Sequence, residues 1–185
     1  MTTTGTTTED RYPTRLSEAT EPIERTEPAV WAAGGDGPID AATLAAHESR
    51  GYSFIEELLS AGEVRAYWEE LQRLSGDDAI KADDRTIVEK QSNEVRSIFE
   101  VHLISELIAE LVRDPRVLDR ARQILGSEVY VHQSRVNYMP GFRGKGFYWH
   151  SDFETWHAED GMPLPRAVSM SIALTDNYPF NGGLM

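Results

Sequence analysis

The stretch EVYVHQSRVNYMPGF, residues 128–142, alternates in polarity with a period of two and is rich in Val and Tyr. This pattern is typical of a β-strand, whose successive side chains point to opposite faces of a sheet. One face would carry a row of hydrogen-bonding side chains, Gln133, Arg135 and Asn137, between apolar residues. The other face would carry Tyr130, His132, Ser134, Val136 and Tyr138. Such a polar row either faces solvent or lines a ligand cavity.

A second stretch of period two, RAVSMSIALTDN, covers residues 166–177. Its apolar face, which we expect to contact the core, consists of Val168, Met170, Ile172 and Leu174. Its other face carries the small residues Ala167, Ser169, Ser171 and Ala173, which leave space. A polar row on one strand and a small-residue row on another favour the lining of a ligand cavity inside a barrel.

The first two thirds of the chain are predicted to be mainly helical. Helix start and stop signals include Asp40 with Gly51, a capping box of Ser60 and Glu63, Ser105, Asp114 with Pro115, and Gly126. The charged segment 77–101 has no clear period and is predicted as loop with short extended pieces. We therefore expect an α+β fold in which a helical N-terminal layer precedes the start of a sheet.

Composition restricts the function. A chain of 185 residues suits one domain, which we place at residues 28–185 behind an extended or disordered leader at 1–27. The formal charge of −13 disfavours nucleic acid and membrane partners. Neither a cysteine nor a membrane-length apolar run occurs in the sequence, which is compatible with a cytoplasmic protein.

The segment between the two strands, FYWHSDFETWHAEDGMP at residues 147–163, contains a His-x-Asp triplet. If the backbone is extended, His150 and Asp152 project to the same side and can bind one metal ion. With a second histidine from elsewhere they would form the facial triad of non-haem Fe(II) oxygenases. Alternatively, His150, Asp152 and His157 could form a local zinc site of a hydrolase. Spacing alone leaves both possibilities open.

The whole segment resembles the signature of the ectoine hydroxylases, in the phytanoyl-CoA dioxygenase-like branch of the Fe(II)/2-oxoglutarate oxygenases. The flanking runs VHQSRVNYMPGF and RAVSMSIALTDNYPFNGGLM resemble the same family. The resemblance implies a helical layer packed on a double-stranded β-helix, a jelly-roll or cupin-like barrel. It implies Fe(II) as cofactor, 2-oxoglutarate and O2 as cosubstrates, and hydroxylation of ectoine to 5-hydroxyectoine, a compatible solute of osmotic stress protection.

The resemblance assigns iron and cosubstrate residues. His150 and Asp152 match two iron ligands and are the catalytic residues implied. Asn137 matches a position near 2-oxoglutarate, Phe147 an aromatic wall of the site, and Ser169 a residue of the same pocket.

It also assigns substrate residues. Gln133, Arg135 and Trp156 match positions that hold ectoine, and Ala167 lines the pocket. A guanidinium for the ectoine carboxylate and an indole face for its delocalised cationic ring are chemically sensible.

The sequence also departs from the family. Met139 stands where relatives often have Lys, and Gly183 where they tend to have Pro. Family members continue beyond Met185 and there supply the second iron histidine, the arginine for 2-oxoglutarate and the closing strands. We therefore expect the chain to be an N-terminal fragment with an incomplete barrel and no turnover of its own. The family suggests a homodimer, and the alternatives are another small-molecule hydroxylase or a non-catalytic solute-binding fragment.

Overall fold

The computed structural model describes residues 24–32, 36–138 and 150–178. These residues divide between two compact units. The core unit comprises the described residues 29–32, 36–138 and 168–178, and the motif unit comprises 24–28 and 150–167. In chain order the elements are α1 (Ala41–Arg50), α2 (Ala61–Gly76), α3 (Asp78–Lys81), β1 (Thr86–Val88), β2 (Val95–Phe99), α4 (Val101–Ile104), α5 (Glu106–Arg113), α6 (Pro115–Leu125), β3 (Arg135–Asn137) and α7 (Asp152–Glu159).

The first helix begins and ends at the predicted residues, and the second begins at its predicted capping box. The Asp40 side chain accepts a hydrogen bond from a first-turn backbone N–H of α1, and Gly51 ends this helix in the left-handed conformation. At the start of α2 the Ser60 side chain accepts from the Glu63 N–H, while the Glu63 carboxylate accepts from the Ser60 N–H. The predictions of both helices are confirmed.

The pair α5 and α6 is also confirmed. Ser105 caps α5, Asp114 caps α6 with Pro115 in its first turn, and Gly126 ends α6 with φ 63°. A side chain at Gly126 would be strained at this φ, and its Cβ would lie 2.9 Å from the Cα of Ala32. The same glycine therefore ends the helix and admits a close backbone approach.

The sheet contains three antiparallel strands in the order β1-β2-β3. Both β1 and β2 lie inside the segment predicted as loop with short extended pieces, and β2 is the central strand. They also precede α4, α5 and α6, so the predicted order of a helical layer followed by a sheet is wrong. A β-bulge contributes to this error, because Val95 and Arg96 together oppose Val88 and interrupt the period of two.

The hydrophobic core of this unit lies between α2, α5 and the sheet. Its buried members are Tyr67, Leu71, Leu74, Val95, Ile98, Val101, Ile108 and Leu111. Leu74 and Ile98 have no exposed surface at all. Burial of such a side chain stabilises a fold by about 1.5–3 kcal/mol, so α2 and β2 form the centre of the unit.

The two predicted strands are realised only in part. In the first stretch, Arg135, Val136 and Asn137 form a ladder with β2. In the second stretch the described residues 166–178 form no ladder, although Val168, Met170, Ile172 and Leu174 alternate in burial with exposed neighbours. Ile172 and Leu174 pack against the core, as their face predicts. None of the described helices is long and apolar enough to cross a bilayer.

Candidate functional site

The predicted site residues fall into both units. Those in the core unit are Gln133, Arg135, Asn137 and Ser169, and those in the motif unit are His150, Asp152, Trp156 and Ala167. Phe147, together with Met139 and Gly183, lies outside the described residues.

One face of the β2–β3 ladder carries the polar row. Asn137 lies directly opposite Ser97, and Arg135 directly opposite Phe99. The Ser97 hydroxyl donates to Asn137 Oδ1 at 2.7 Å, and the Arg135 guanidinium lies 5.6 Å from the centre of the Phe99 ring. We call these four residues the polar face. It brings together two of the three predicted polar-row residues on rigid backbone.

The opposite face of the same ladder contacts the helices. Val136 and Tyr138 pack against the core, and the Tyr138 hydroxyl donates to the Leu71 carbonyl of α2 at 2.7 Å. Burial raises the pKa of Tyr138 to about 12, so its hydroxyl stays protonated. On the same side Ser134 contacts Nδ1 of His102 in α4 at 2.6 Å. The predicted division of residues 134–138 between two faces is confirmed.

The remaining predicted lining residues lie at the margins. Gln133 is exposed and precedes the ladder by two residues, so its side chain is not fixed by strand pairing. Ser169 is exposed and alternates with the half-buried Val168 and Met170, while Ala167 is half-buried. Their roles as lining residues stay predictions.

Sequence reasoning missed Ser97 and Phe99. Both lie on β2, whose run VRSIF places two polar residues before two apolar ones and so shows no period of two. The strand is short, follows a charged segment and begins at the bulge of Val95 and Arg96. Only the ladder with β3 reveals that both side chains share the face of Arg135 and Asn137.

The His-x-Asp pair lies at the beginning of α7. Ser151, in an extended conformation, is the N-cap residue, and Asp152 is the first helical residue. The backbone is thus extended at Ser151, as predicted, but is helical from Asp152 onwards. The pair nevertheless converges, because His150 Nε2 lies 3.3 Å from Asp152 Oδ1, and the two side chains are 49% and 41% exposed.

This separation suits two ligands of one divalent metal ion. Two donors at bonds of about 2.1 Å and at right angles lie about 3 Å apart. A neutral imidazole nitrogen and a carboxylate oxygen are also the donors of a facial iron triad. The two residues therefore fit an iron site in donor type and spacing, and they are accessible to an incoming ion.

Helix α7 places Trp156 relative to Asp152. Residues four apart lie on the same side of a helix, so the indole and the carboxylate share one face of α7. Asp152 and Glu154 occupy the first turn, where their negative charge interacts favourably with the helix dipole. A predicted metal ligand and a predicted substrate contact therefore lie on one short helix.

The second histidine of the motif binds the backbone instead. His157 Nδ1 lies 2.7 Å from the carbonyl oxygen of Met162, and the Met162 N–H donates to the Trp156 carbonyl at 3.1 Å. Because a carbonyl only accepts, Nδ1 carries the hydrogen. Across the described ranges, no group of three His, Cys, Asp or Glu side chains is arranged to hold a metal. The alternative of a local zinc site at His150, Asp152 and His157 is therefore not supported.

Comparison with known proteins identifies the family. The family profile described as Phytanoyl-CoA dioxygenase (PhyH) matches residues 47–185, which is most of the chain. The chain belongs to the phytanoyl-CoA dioxygenase family. The family and its solved structures fit a cupin-like fold, to which the described residues contribute helices and a three-stranded antiparallel sheet.

Two curated members of this family illustrate the similarity. The ectoine dioxygenase of Nocardia farcinica is 58% identical over 176 residues, covering 95% of this chain and 57% of that protein. The ectoine dioxygenase of Streptomyces coelicolor is 58% identical over 187 residues, covering 100% of this chain and 62% of that protein. The chain thus spans about three fifths of the length of these relatives.

Solved structures of the phytanoyl-CoA dioxygenase family are similar as well. The crystal structure of EctD from S. alaskensis with bound Fe is 50% identical, with a TM-score of 0.73 over 77% of this chain and 51% of that one. The structure of EctD from S. alaskensis with 2-oxoglutarate and 5-hydroxyectoine is 48% identical, with a TM-score of 0.78 over 85% of this chain and 56% of that one. The chain is therefore similar to these structures in both sequence and fold.

Proposed function

We propose that the protein is an Fe(II)- and 2-oxoglutarate-dependent dioxygenase that hydroxylates ectoine to 5-hydroxyectoine. The observation that carries this proposal is the convergence of His150 Nε2 and Asp152 Oδ1 at 3.3 Å at the start of α7. Family membership and the 58% identity to ectoine dioxygenases support the same activity.

His150 and Asp152 would hold the metal as two of three protein ligands. Among the described residues, no further His, Cys, Asp or Glu side chain joins this pair as a third ligand. When bound in such a site, Fe(II) supplies the activation of O2, which is coupled to oxidative decarboxylation of 2-oxoglutarate to succinate and CO2. The protein residues around it must bind the two organic molecules and exclude water.

Substrate binding would fall to Gln133, Arg135, Trp156 and Ala167. A guanidinium donates two parallel hydrogen bonds to a carboxylate, which suits the single carboxylate of ectoine. The Arg135 guanidinium lies over the Phe99 ring at 5.6 Å from its centre, a cation–π contact that favours its position on this face before ectoine binds. The indole face of Trp156 would contact the cationic ring of ectoine. These groups favour a small carboxylated ring over an acyl-CoA.

Cosubstrate binding would fall to Asn137, Ser169 and Phe147. The amide of Asn137 lies on the polar face, where it can donate to an oxygen of the anionic 2-oxoglutarate. The basic group of Arg135, two residues before it, partly offsets the formal charge of −13, which otherwise repels such anions.

The wider organisation follows from the same proposal. We infer helices packed on a double-stranded β-helix, with residues 28–185 in one oxygenase domain and residues 1–27 as a leader. A cytoplasmic homodimer without nucleic acid or membrane partners suits an enzyme acting on a soluble metabolite. Size-exclusion chromatography with light scattering measures the oligomeric state, and a monomer at micromolar concentration contradicts the dimer.

Product analysis tests the activity. The intact protein is incubated with Fe(II), 2-oxoglutarate and ectoine in air, and the proposal expects 5-hydroxyectoine and succinate in equal amounts. Replacing Arg135 with Gln should raise the KM for ectoine at least about tenfold, since a charge-assisted bond contributes roughly 1.5–3 kcal/mol. Arg113→Gln is the matched control, because Arg113 is 68% exposed and pairs only loosely with an exposed glutamate, at 3.6 Å.

The outcomes separate the alternatives. Hydroxylation of another carboxylated solute, with none of ectoine, would identify a different small-molecule hydroxylase. Equal calorimetric binding of ectoine with and without Fe(II), with no product, would identify a solute-binding protein. Equal effects of Arg135→Gln and Arg113→Gln would remove Arg135 from the substrate site.

A further inference from the structure

A buried serine holds the amide of Asn137. Ser97 is 2% exposed, lies directly opposite Asn137 in the β2–β3 ladder, and donates its hydroxyl hydrogen to Asn137 Oδ1 at 2.7 Å. Asn137 itself is exposed on the polar face. The contact therefore joins a rigid, desolvated donor to a side chain that can meet a ligand.

In the observed arrangement the Ser97 hydroxyl acts as the donor and the amide oxygen as the acceptor, which sets the end of the amide that is presented. An asparagine side chain has a carbonyl oxygen that accepts and an NH2 group that donates, and rotation about its last bond exchanges the two. Because the Ser97 hydroxyl occupies Oδ1, the NH2 group is directed away from the serine. A ligand at Asn137 therefore meets a donor and must itself bring an acceptor.

The neighbouring side chain selects the same kind of ligand. Arg135 precedes Asn137 by two residues, so both side chains leave β3 on one face, and the Phe99 ring lies beneath the guanidinium. A guanidinium and an amide NH2 side by side are both donors. This combination suits a carboxylate or keto oxygen and rejects a group that only donates.

We propose that Ser97 is a positioning residue that fixes Asn137 as a donor and thereby raises the affinity of the protein for 2-oxoglutarate. The inference rests on the proposed function, in which Asn137 binds this cosubstrate. Without the serine hydroxyl, the amide turns freely and presents its oxygen to the anion for part of the time. A hydrogen bond that favours the donating orientation roughly tenfold populates it at about nine tenths, and its loss leaves about one half, so the dissociation constant should rise roughly twofold.

Three variants of the intact protein test the positioning role. Ser97→Ala removes the donor, Ser97→Thr retains a hydroxyl, and Ser105→Ala is the matched control. Ser105 is also 2% exposed and also donates to a side-chain oxygen, that of Glu70 at 2.6 Å. Ser97→Ala should weaken calorimetric binding of 2-oxoglutarate roughly twofold and leave the affinity for ectoine unchanged. Ser97→Thr should restore binding, and Ser105→Ala should lower thermal stability only.

A double-mutant cycle separates positioning from general destabilisation. If Ser97 acts through the amide, Ser97→Ala should have no further effect on 2-oxoglutarate binding in an Asn137→Ala background. In the KM for 2-oxoglutarate the single variant should show the same roughly twofold rise, with kcat little changed. Additive effects of the two substitutions, or equal losses in Ser97→Ala and Ser105→Ala, would overturn the proposal.

Binding and activity of the unmodified protein distinguish failure of the Ser97 role from failure of the proposed function. If it binds 2-oxoglutarate but Ser97→Ala binds it equally well, only the role of Ser97 is refuted. If the unmodified protein neither binds 2-oxoglutarate nor hydroxylates ectoine, the proposed function fails, and the inference about Ser97 fails with it.

Discussion

Replacing Leu74 with Ala should destabilise the core unit by about 3–4 kcal/mol. Leu74 lies in α2 and has no exposed surface, in the same cluster as Ile98 of the central strand. Leu and Ala have similar helix propensities, so the substitution leaves α2 intact and reports on packing alone.

The magnitude follows from the groups removed. The substitution deletes three carbon groups, each worth about 0.8 kcal/mol of transfer free energy, or about 2.4 kcal/mol together. A cavity at a fully buried site raises this value to about 3–4 kcal/mol, because the surroundings relax only in part. Leu103 in α4 is the matched comparison, since it is 65% exposed. Only about a third of the Leu103 side chain is buried, so its replacement by Ala should lower the unfolding free energy by about 0.8 kcal/mol, and it leaves no cavity.

Urea denaturation followed by far-ultraviolet circular dichroism measures both variants against the unmodified protein. With unchanged slopes, the difference in midpoint converts to the difference in unfolding free energy. Leu74→Ala should exceed Leu103→Ala by at least about 2 kcal/mol. A difference below about 1 kcal/mol would refute the assignment of Leu74 to a closely packed centre between α2 and β2.

Three further perturbations test other features of the fold and the site. The Arg116 guanidinium, chiefly by hydrogen bonding, lowers the pKa of Glu63 from 4.5 to about 2. This hydrogen bond therefore contributes its full stability above pH 4.5, and the contribution is lost as the pH falls towards 2. Glu63→Gln should flatten that part of the curve of unfolding free energy against pH. An unchanged slope contradicts the pairing of Glu63 with Arg116. Gly126→Ala should lower the melting temperature because of its φ of 63° and the backbone 2.9 Å away, whereas Gly76→Ala, with nothing within 4 Å at the end of α2, should raise it slightly. Scanning calorimetry compares the two, and a similar shift in both would show that the close approach at Gly126 is unimportant. His157→Ala should leave the affinity of the intact protein for Fe(II) unchanged in anaerobic titrations, whereas loss of binding would revive the local metal site that includes this histidine.

Helix boundaries were predictable from the sequence because caps are local. The Asp40 carboxylate, the Ser60 and Glu63 pair and the left-handed Gly126 each act within a few residues of the helix end they define. Their spacing along the chain therefore carries the whole interaction.

The sheet was less predictable because its stabilising contacts are distant in sequence. Strand β2 pairs with β3 across about forty residues, as Ser97 pairs with Asn137. Strand β2 itself places Arg96 and Ser97 before Ile98 and Phe99, so it lacks the alternation that would have identified it. The alternation of residues 168–174 did predict which side contacts the core, because burial follows side-chain direction even where no ladder forms.

The candidate site shows the same division between local and distant information. The His-x-Asp spacing predicted that His150 and Asp152 converge, which needs only one extended residue between them. The partners of Arg135 and Asn137, which are Phe99 and Ser97, could not be inferred, because they come from a strand that the sequence did not identify.

The bulge in β2 also affects how this chain should be aligned with its relatives. Val95 and Arg96 share one position opposite Val88, so the strand contains one residue more than its neighbour β1 requires. Deleting one of the two would leave an ordinary alternating strand, with Ile98 still in the core and Ser97 still facing Asn137. A relative that lacks this residue can thus keep the same core and the same polar face. An alignment in this region should open a one-residue gap at the bulge, because a shift of the whole strand would exchange its two faces.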